Sequence, residues 1–242
     1  MQVINGIPET EGWRARERWN LTDLKELYGK KEFKIGEDDD GKRIKVELKH
    51  FLKYLKHNLD DSPLYLFDGS FDSGDTSLLK DYQVPSFFPD DLFELVGEER
   101  RPPYRWFLIG PARSGTTVHI DPLGTSAWNT VISGRKRWVL FPPEVSKQEA
   151  KGIDVRKKGE DDEAINYFVD FIPRMRSSPS PSSLSGEGVR SLRSTKMIEF
   201  TQFPGETVFI PGGWWHGAIN LDDTIAITQV AILFSILYHC FS

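Results

Sequence analysis

The stretch TTVHIDPLGTSAWNTVISGRKRWVLF, Thr116 to Phe141, decides the fold. It holds three short apolar or alternating runs: Thr117 to Ile120, Ala127 to Ile132 and Trp138 to Phe141. The turn pair Ser133-Gly134 separates the second from the third. The same rhythm continues on both sides. Upstream, Trp106 to Ile109 stops at Gly110-Pro111. Downstream, Thr207 to Ile210 stops at Pro211-Gly212-Gly213, and Trp214 to Leu221 and Thr224 to Thr228 follow. Many short runs punctuated by turn residues predict an antiparallel β sandwich or barrel.

Within the opening stretch, His119 and Asp121 stand two apart. Alternate side chains of a strand share a face, so imidazole and carboxylate project together while Val118 and Ile120 point the other way. A third ligand has to come from another strand, and His216, entering its strand after Pro211-Gly212-Gly213-Trp214-Trp215, is the candidate. Two histidines and one carboxylate on one side of a metal, with the other positions open, is the donor set of non-haem Fe(II) oxygenases. An H-x-D tripeptide alone is weak evidence, and ordinary polar residues on a β surface are the competing reading. His50 and His57 fall on a predicted helix, where a solvated or capping role is expected, and His239 lies in the C-terminal tail.

Lys136 opens an otherwise apolar strand and shares a face with Trp138, opposite Arg135 and Arg137. Two readings stand: three solvated basic residues, or one inward lysine. An inward lysine is costly to bury alone and implies an anionic partner.

The first hundred residues are mixed and mostly helical in pattern. Ile44, Leu48, Phe51, Leu52, Leu55 and Leu59 recur at helical spacing up to Ser62-Pro63. Thr22 to Tyr28 reads as a shorter helix with Thr22 as N-cap and Gly29 as its stop. The acidic run Glu37 to Asp40 reads as a solvated turn. Between the two groups of strands lies an insert, residues 144–196. Its Glu160 to Phe171 part is expected to be helical, and its Ser/Pro/Gly-rich Ser177 to Ser194 part a mobile loop.

The bulk numbers agree with a globular chain of 242 residues, 38% hydrophobic and 28% charged. A net charge of -5 argues against sequence-blind nucleic-acid binding through a basic surface. The single cysteine, Cys240, rules out an intrachain disulfide and a cysteine-built zinc cage. Met1 to Gly6 lack a signal pattern, and the apolar run Val230 to Phe241 is shorter than the about 20 residues that span a bilayer. A soluble, intracellular protein away from membranes is therefore expected.

Two blocks carry a more specific likeness. The stretch from Gly110 through VHIDPLGTSAWNTVISGRKRWVLF, with PGETVFIPGGWWHGAINLDDTIAITQ at Pro204 to Gln229, resembles the JmjC (jumonji C) 2-oxoglutarate oxygenases. SPLYLFD at Ser62 to Asp68 and DYQVPSFFPDDLFELVGEERRPPYRWF at Asp81 to Phe107 extend the likeness. Within that family the arginine demethylase and lysyl-hydroxylase branch is the most similar. The resemblance implies a mainly β fold, a double-stranded β-helix (jelly roll, cupin-like), with a helical region at 1–104 packed on a barrel at 105–242. It implies Fe(II) held by His119, Asp121 and His216. Lys136 and Thr228 match the pair that holds the distal carboxylate of 2-oxoglutarate, with Tyr65 near it. Asn129 matches a residue near the proximal carboxylate, and Trp106 a pocket-lining aromatic. O2 would be the second co-substrate.

The implied activity is hydroxylation of protein lysines, demethylation of methyl-arginine, or both, with splicing-associated proteins or histones as substrates. A nuclear location follows from the family, with the cytoplasm as the alternative. Asp161, Asp162 and Glu163 are candidates for an acidic lip that receives a cationic substrate. Two departures stand out. From Val230 the chain leaves the family pattern, which has an asparagine there and then the C-terminal helices through which the family dimerises. The insert's serine-rich part has no counterpart. Two alternatives therefore stay open: a β-helix binding module without turnover, and a cupin metalloenzyme that does not use 2-oxoglutarate.

Overall fold

The structure, a computed structural model, describes residues 1–37, 40–177 and 196–233. Two antiparallel sheets form its centre. The major sheet runs β1-β10-β7-β12-β5-β4 and the minor sheet β6-β11-β8-β9. In chain order these are β1 (Gln2–Asn5), β4 (Leu66–Asp68), β5 (Arg105–Gly110), β6 (Gly115–His119), β7 (Ser126–Ser133) and β8 (Lys136–Phe141). Then come β9 (Ile198–Gln202), β10 (Glu206–Ile210), β11 (Trp215–Asn220) and β12 (Thr224–Ala231). β2 (Glu32–Glu37) and β3 (Arg43–Glu47) make a separate hairpin. The jelly roll expected from the sequence is thus present, and each run named above falls on one of its strands. Thr117 to Ile120 overruns β6 by a residue at one end, and Trp214 to Leu221 overruns β11 by a residue at each end.

Three packed layers hold the sheets. Ala127, Val208 and Ile210 from the major sheet meet Trp138, Leu140 and Ala218 from the minor sheet in the inter-sheet core. The outer face of the major sheet, with Phe107, Trp128 and Ile227, is covered by the N-terminal region through Trp13, Trp19, Phe33 and Phe51. The outer face of the minor sheet, with Val118, Val139 and Phe141, is covered by the insert through Tyr167, Phe168 and Phe171. Period-two alternation explains this economy: each strand has apolar side chains on both faces because both are buried.

Several local expectations need correction. Residues 1–104 are less helical than their pattern suggests. They contribute β1 and β4, which pair with β10 and β5 and so close the two edges of the major sheet. The helix expected from Ile44 begins at Leu48 and ends at His57: Ile44 belongs to β3, and Leu59 is 92% exposed beyond the helix end. The shorter helix, Leu21–Tyr28, is capped by Asn20, whose side chain accepts from Asp23 N, and not by Thr22; Gly29 does follow its last turn. The insert is helical from Ala164 to Ser177, passing through a wide turn at Tyr167–Phe171. β9 was unread. Residues 38 and 39 of the acidic run, the serine-rich stretch after Ser177, His239 and Cys240 lie outside the described residues. Among the described residues no helix is long and apolar enough to cross a membrane.

Candidate metal and dicarboxylate site

Strand register brings the two histidines together. His119 closes β6 and lies directly across from His216 on β11, their rings 4.4 Å apart. The chain stays extended through Asp121, which returns to the same face just beyond the strand. Its carboxylate lies 3.5 Å from His119 Nε2 and 3.7 Å from His216 Nε2. Gly115 lets β6 approach β11 this closely, since a Cβ there would sit 2.1 Å from the Ala218 carbonyl oxygen.

The ring tautomers follow from the backbone. His119 Nδ1 is 2.8 Å from the Thr117 carbonyl and His216 Nδ1 is 3.1 Å from that of Trp214. A carbonyl only accepts, so both Nδ1 atoms carry the proton and both Nε2 lone pairs face the carboxylate. One ligand atom from each of His119, Asp121 and His216 lies within 4.8 Å of the others. Burial, aided by the charge of His119, pushes His216 down to about 4. Burial also opposes the charged form of His119, but the Asp121 carboxylate and the Thr117 carbonyl outweigh it and hold that ring above its ordinary value. Burial raises Asp121, and the two histidines outweigh it, so its carboxyl is held low. An anionic carboxylate facing two imidazole lone pairs fits a borderline divalent cation such as Fe(II).

These groups open into a cavity of about 470 Å³ between the sheets. It is lined mostly by apolar side chains, and Asp121 and Lys136 supply its charged groups besides the histidines. Lys136 is 2% exposed and sits opposite Asn220 across β8 and β11. Its Nζ donates to Tyr65 Oη at 2.8 Å and to Asn220 Oδ1 at 2.7 Å. Both partners are neutral. Burial pushes the lysine down to about 7 and raises the Tyr65 phenol, which therefore keeps its proton. Arg135 and Arg137, on the opposite face, are paired with Asp222 and Glu199. Of the two readings of Lys136, the inward one is correct.

Trp106, Thr228 and Asn129 form a row across β5, β12 and β7, and all three line the cavity. Thr228 Oγ1 donates to the Trp128 carbonyl at 2.7 Å. Asn129 is 4% exposed and among the described residues its Oδ1 has no partner, an orphaned polar atom beside a cavity that asks for a polar occupant. Val230 also lines the cavity. Asp161, Asp162 and Glu163, the candidates for an acidic lip, are not among the residues lining this cavity. Asp162 pairs with Lys151, and Asp161 accepts from Glu163 N and Asn166 Nδ2. Asn220 and Ser114 were missed, although the alternation His216, Ala218, Asn220 would have pointed Asn220 inward.

Comparison with known proteins agrees with this geometry. The family described as "JmjC domain, hydroxylase" matches residues 106–230. The chain belongs to the JmjC family. It is 44% identical over 229 residues to the bifunctional arginine demethylase and lysyl-hydroxylase psr-1 of Caenorhabditis elegans, covering 94% of this chain and 54% of that protein. It is 38% identical to the arginine-specific demethylase JMJ22 of Arabidopsis thaliana, over 90% of this chain and 39% of that one. With the human 2-oxoglutarate and iron-dependent oxygenase JMJD4 it shares 28% over 91% of this chain and 53% of that one. The chain spans about half the length of the first of these JmjC relatives.

Proposed function

We propose that this chain is an Fe(II)- and 2-oxoglutarate-dependent oxygenase that hydroxylates lysine side chains of proteins, demethylates methyl-arginine, or both. One observation carries the reading: the His119, Asp121 and His216 cluster shares a mainly apolar cavity with a buried lysine whose hydrogen-bond partners among the described residues, Tyr65 and Asn220, are neutral. A metal site alone fits many reactions. A metal site plus a buried, unneutralised cation fits a small dianion that can reach both.

His119, Asp121 and His216 would hold the iron, and Lys136 with Tyr65 would hold the distal carboxylate. When bound together, iron and 2-oxoglutarate would let O2 act as the oxidant, one oxygen atom entering succinate as the acid loses CO2 and the other going to the substrate. This chain's residues do the rest. The Thr117 and Trp214 carbonyls keep both imidazoles turned with Nε2 inward. Lys136 and the Tyr65 hydroxyl orient the dicarboxylate. Trp106, Leu108 and Trp138 wall the cavity and exclude water. Asn129, with its unpaired amide oxygen, would meet the bound acid or substrate.

Protein substrates follow from the names of the relatives, which include arginine demethylase and lysyl-hydroxylase. Histone or splicing-associated targets and a nuclear location rest on family resemblance and belong to the same proposal. The test is succinate formation from 2-oxoglutarate with Fe(II), ascorbate and lysine- or methyl-arginine-containing peptides. We expect peptide-stimulated succinate and a mass gain of one oxygen or loss of a methyl. Succinate no higher than in His119→Ala, with iron demonstrably bound to the native chain, would refute it.

A further inference from the structure

Lys136 is held by a chain of directional hydrogen bonds. Ser114 Oγ donates to the Pro111 carbonyl at 2.7 Å, so its lone pair is left to accept from Asn220 Nδ2 at 2.9 Å. That bond fixes which end of the amide faces which neighbour: Oδ1 must turn to the lysine, which donates to it at 2.7 Å. The backbone repeats the clamp. Asn220 N donates to the Ser114 carbonyl at 2.8 Å, and Arg113 N donates to the Asn220 carbonyl at 2.9 Å. Ser114 and Asn220 are each 1% exposed.

The fold is strained to keep this arrangement. The turn presenting Ser114 holds Arg113 at φ 75°, a left-handed conformation that costs a side-chain-bearing residue. Gly110, next to it, has no room for a Cβ: one would fall 2.3 Å from Ser114 Oγ, 2.6 Å from Tyr65 and 2.7 Å from Asn220. Both features bring Ser114 and Asn220 into contact.

We propose that Asn220, anchored by Ser114, is a positioning residue for co-substrate binding: it aims the Lys136 ammonium while leaving its charge unneutralised. The inference deepens the 2-oxoglutarate reading and rests on it. A carboxylate at position 220 has nearly the same shape but would satisfy the lysine internally, and the site would lose its pull on an incoming acid. The low position of Lys136, caused by burial, agrees with an ammonium that lacks an anion of its own.

The decisive experiment is calorimetric titration of 2-oxoglutarate into the Mn(II)-loaded full chain, native, Asn220→Asp and Ser114→Ala, with a thermal melt of each. We expect Asn220→Asp to weaken 2-oxoglutarate at least a hundredfold while keeping Mn(II) affinity within threefold. We expect Ser114→Ala to weaken it by five- to twentyfold, and in turnover the KM for 2-oxoglutarate to rise more than kcat falls. A merely structural role predicts instead that Mn(II) and 2-oxoglutarate affinities fall together, and that result would overturn the proposal. So would native-like 2-oxoglutarate affinity in Asn220→Asp. If the native chain itself binds no 2-oxoglutarate, the co-substrate reading fails, and the two failures are told apart by that first titration. Should Asn220→Asp melt early, Ser114→Ala decides: native affinity there rejects the anchor.

Discussion

Lys136 couples proton and ligand at the scale of one side chain. Its ordinary value is 10.5, and burial brings it to about 7 in the folded chain. Between those values the unfolded chain binds more protons than the folded one, so this group makes folding stability rise with pH across that window. Its full penalty is present below about 7. A bound dicarboxylate restores the ammonium. Binding of 2-oxoglutarate at pH 8 should therefore take up close to one proton, and at pH 6 close to none, as read by calorimetry in buffers of different ionisation enthalpy. Lys136→Met should abolish the uptake and weaken the acid at least ~100-fold, since a charge-assisted contact is lost in a dry site. For the metal, Asp121→Ala removes the anionic donor and should weaken Fe(II) by ~100-fold or more by competition titration; unchanged affinity would move the site elsewhere.

Single elements carry the precision of the site. β6 must lie tight on β11 for His119 to meet His216, and Gly115 allows it. Gly115→Ala places a methyl against the Ala218 carbonyl. It should cost ~2 kcal/mol in urea unfolding, and it should loosen metal binding as the two strands part. Leu123 behaves oppositely. It sits at φ 59° in the turn after Asp121, 66% exposed at the cavity mouth. Leu123→Gly removes that strain and should stabilise the fold by up to ~1 kcal/mol in the same assay. Elements were unevenly legible. Strands β5, β7, β8 and β10 could be read because turn residues bracket apolar runs. β9 has only two apolar residues, Ile198 and Phe200, among its five, and it exists because β8 offers it a ladder. Helix starts misled for a similar reason: Ile44 has helical spacing, but its backbone pairs with β2.

The whole molecule is a pair of sheets between two aromatic-rich layers, and Phe107 ties the N-terminal layer to the major sheet. It is fully buried, with ring centroids 5.0 Å from Trp19, 5.9 Å from Phe33 and 5.8 Å from Phe71. Phe107→Ala should cost ~3–5 kcal/mol. Because the same ring packs the N-terminal region onto the barrel, far-UV and tryptophan signals should shift together in one transition; separated transitions would show two independently folding parts. By itself the sequence determined the strand runs, the two-residue step from His119 to Asp121, and the family. Those are local facts, set by alternation and by turn residues. Only the tertiary structure decided that Lys136 points inward to neutral partners, and that Asn220 and Ser114 hold it there. It also decided that Asp162 is paired with Lys151, and that β1 and β4 belong to the major sheet. These depend on which strands become neighbours, and neighbour choice is settled by burial across the whole chain, which no local window contains.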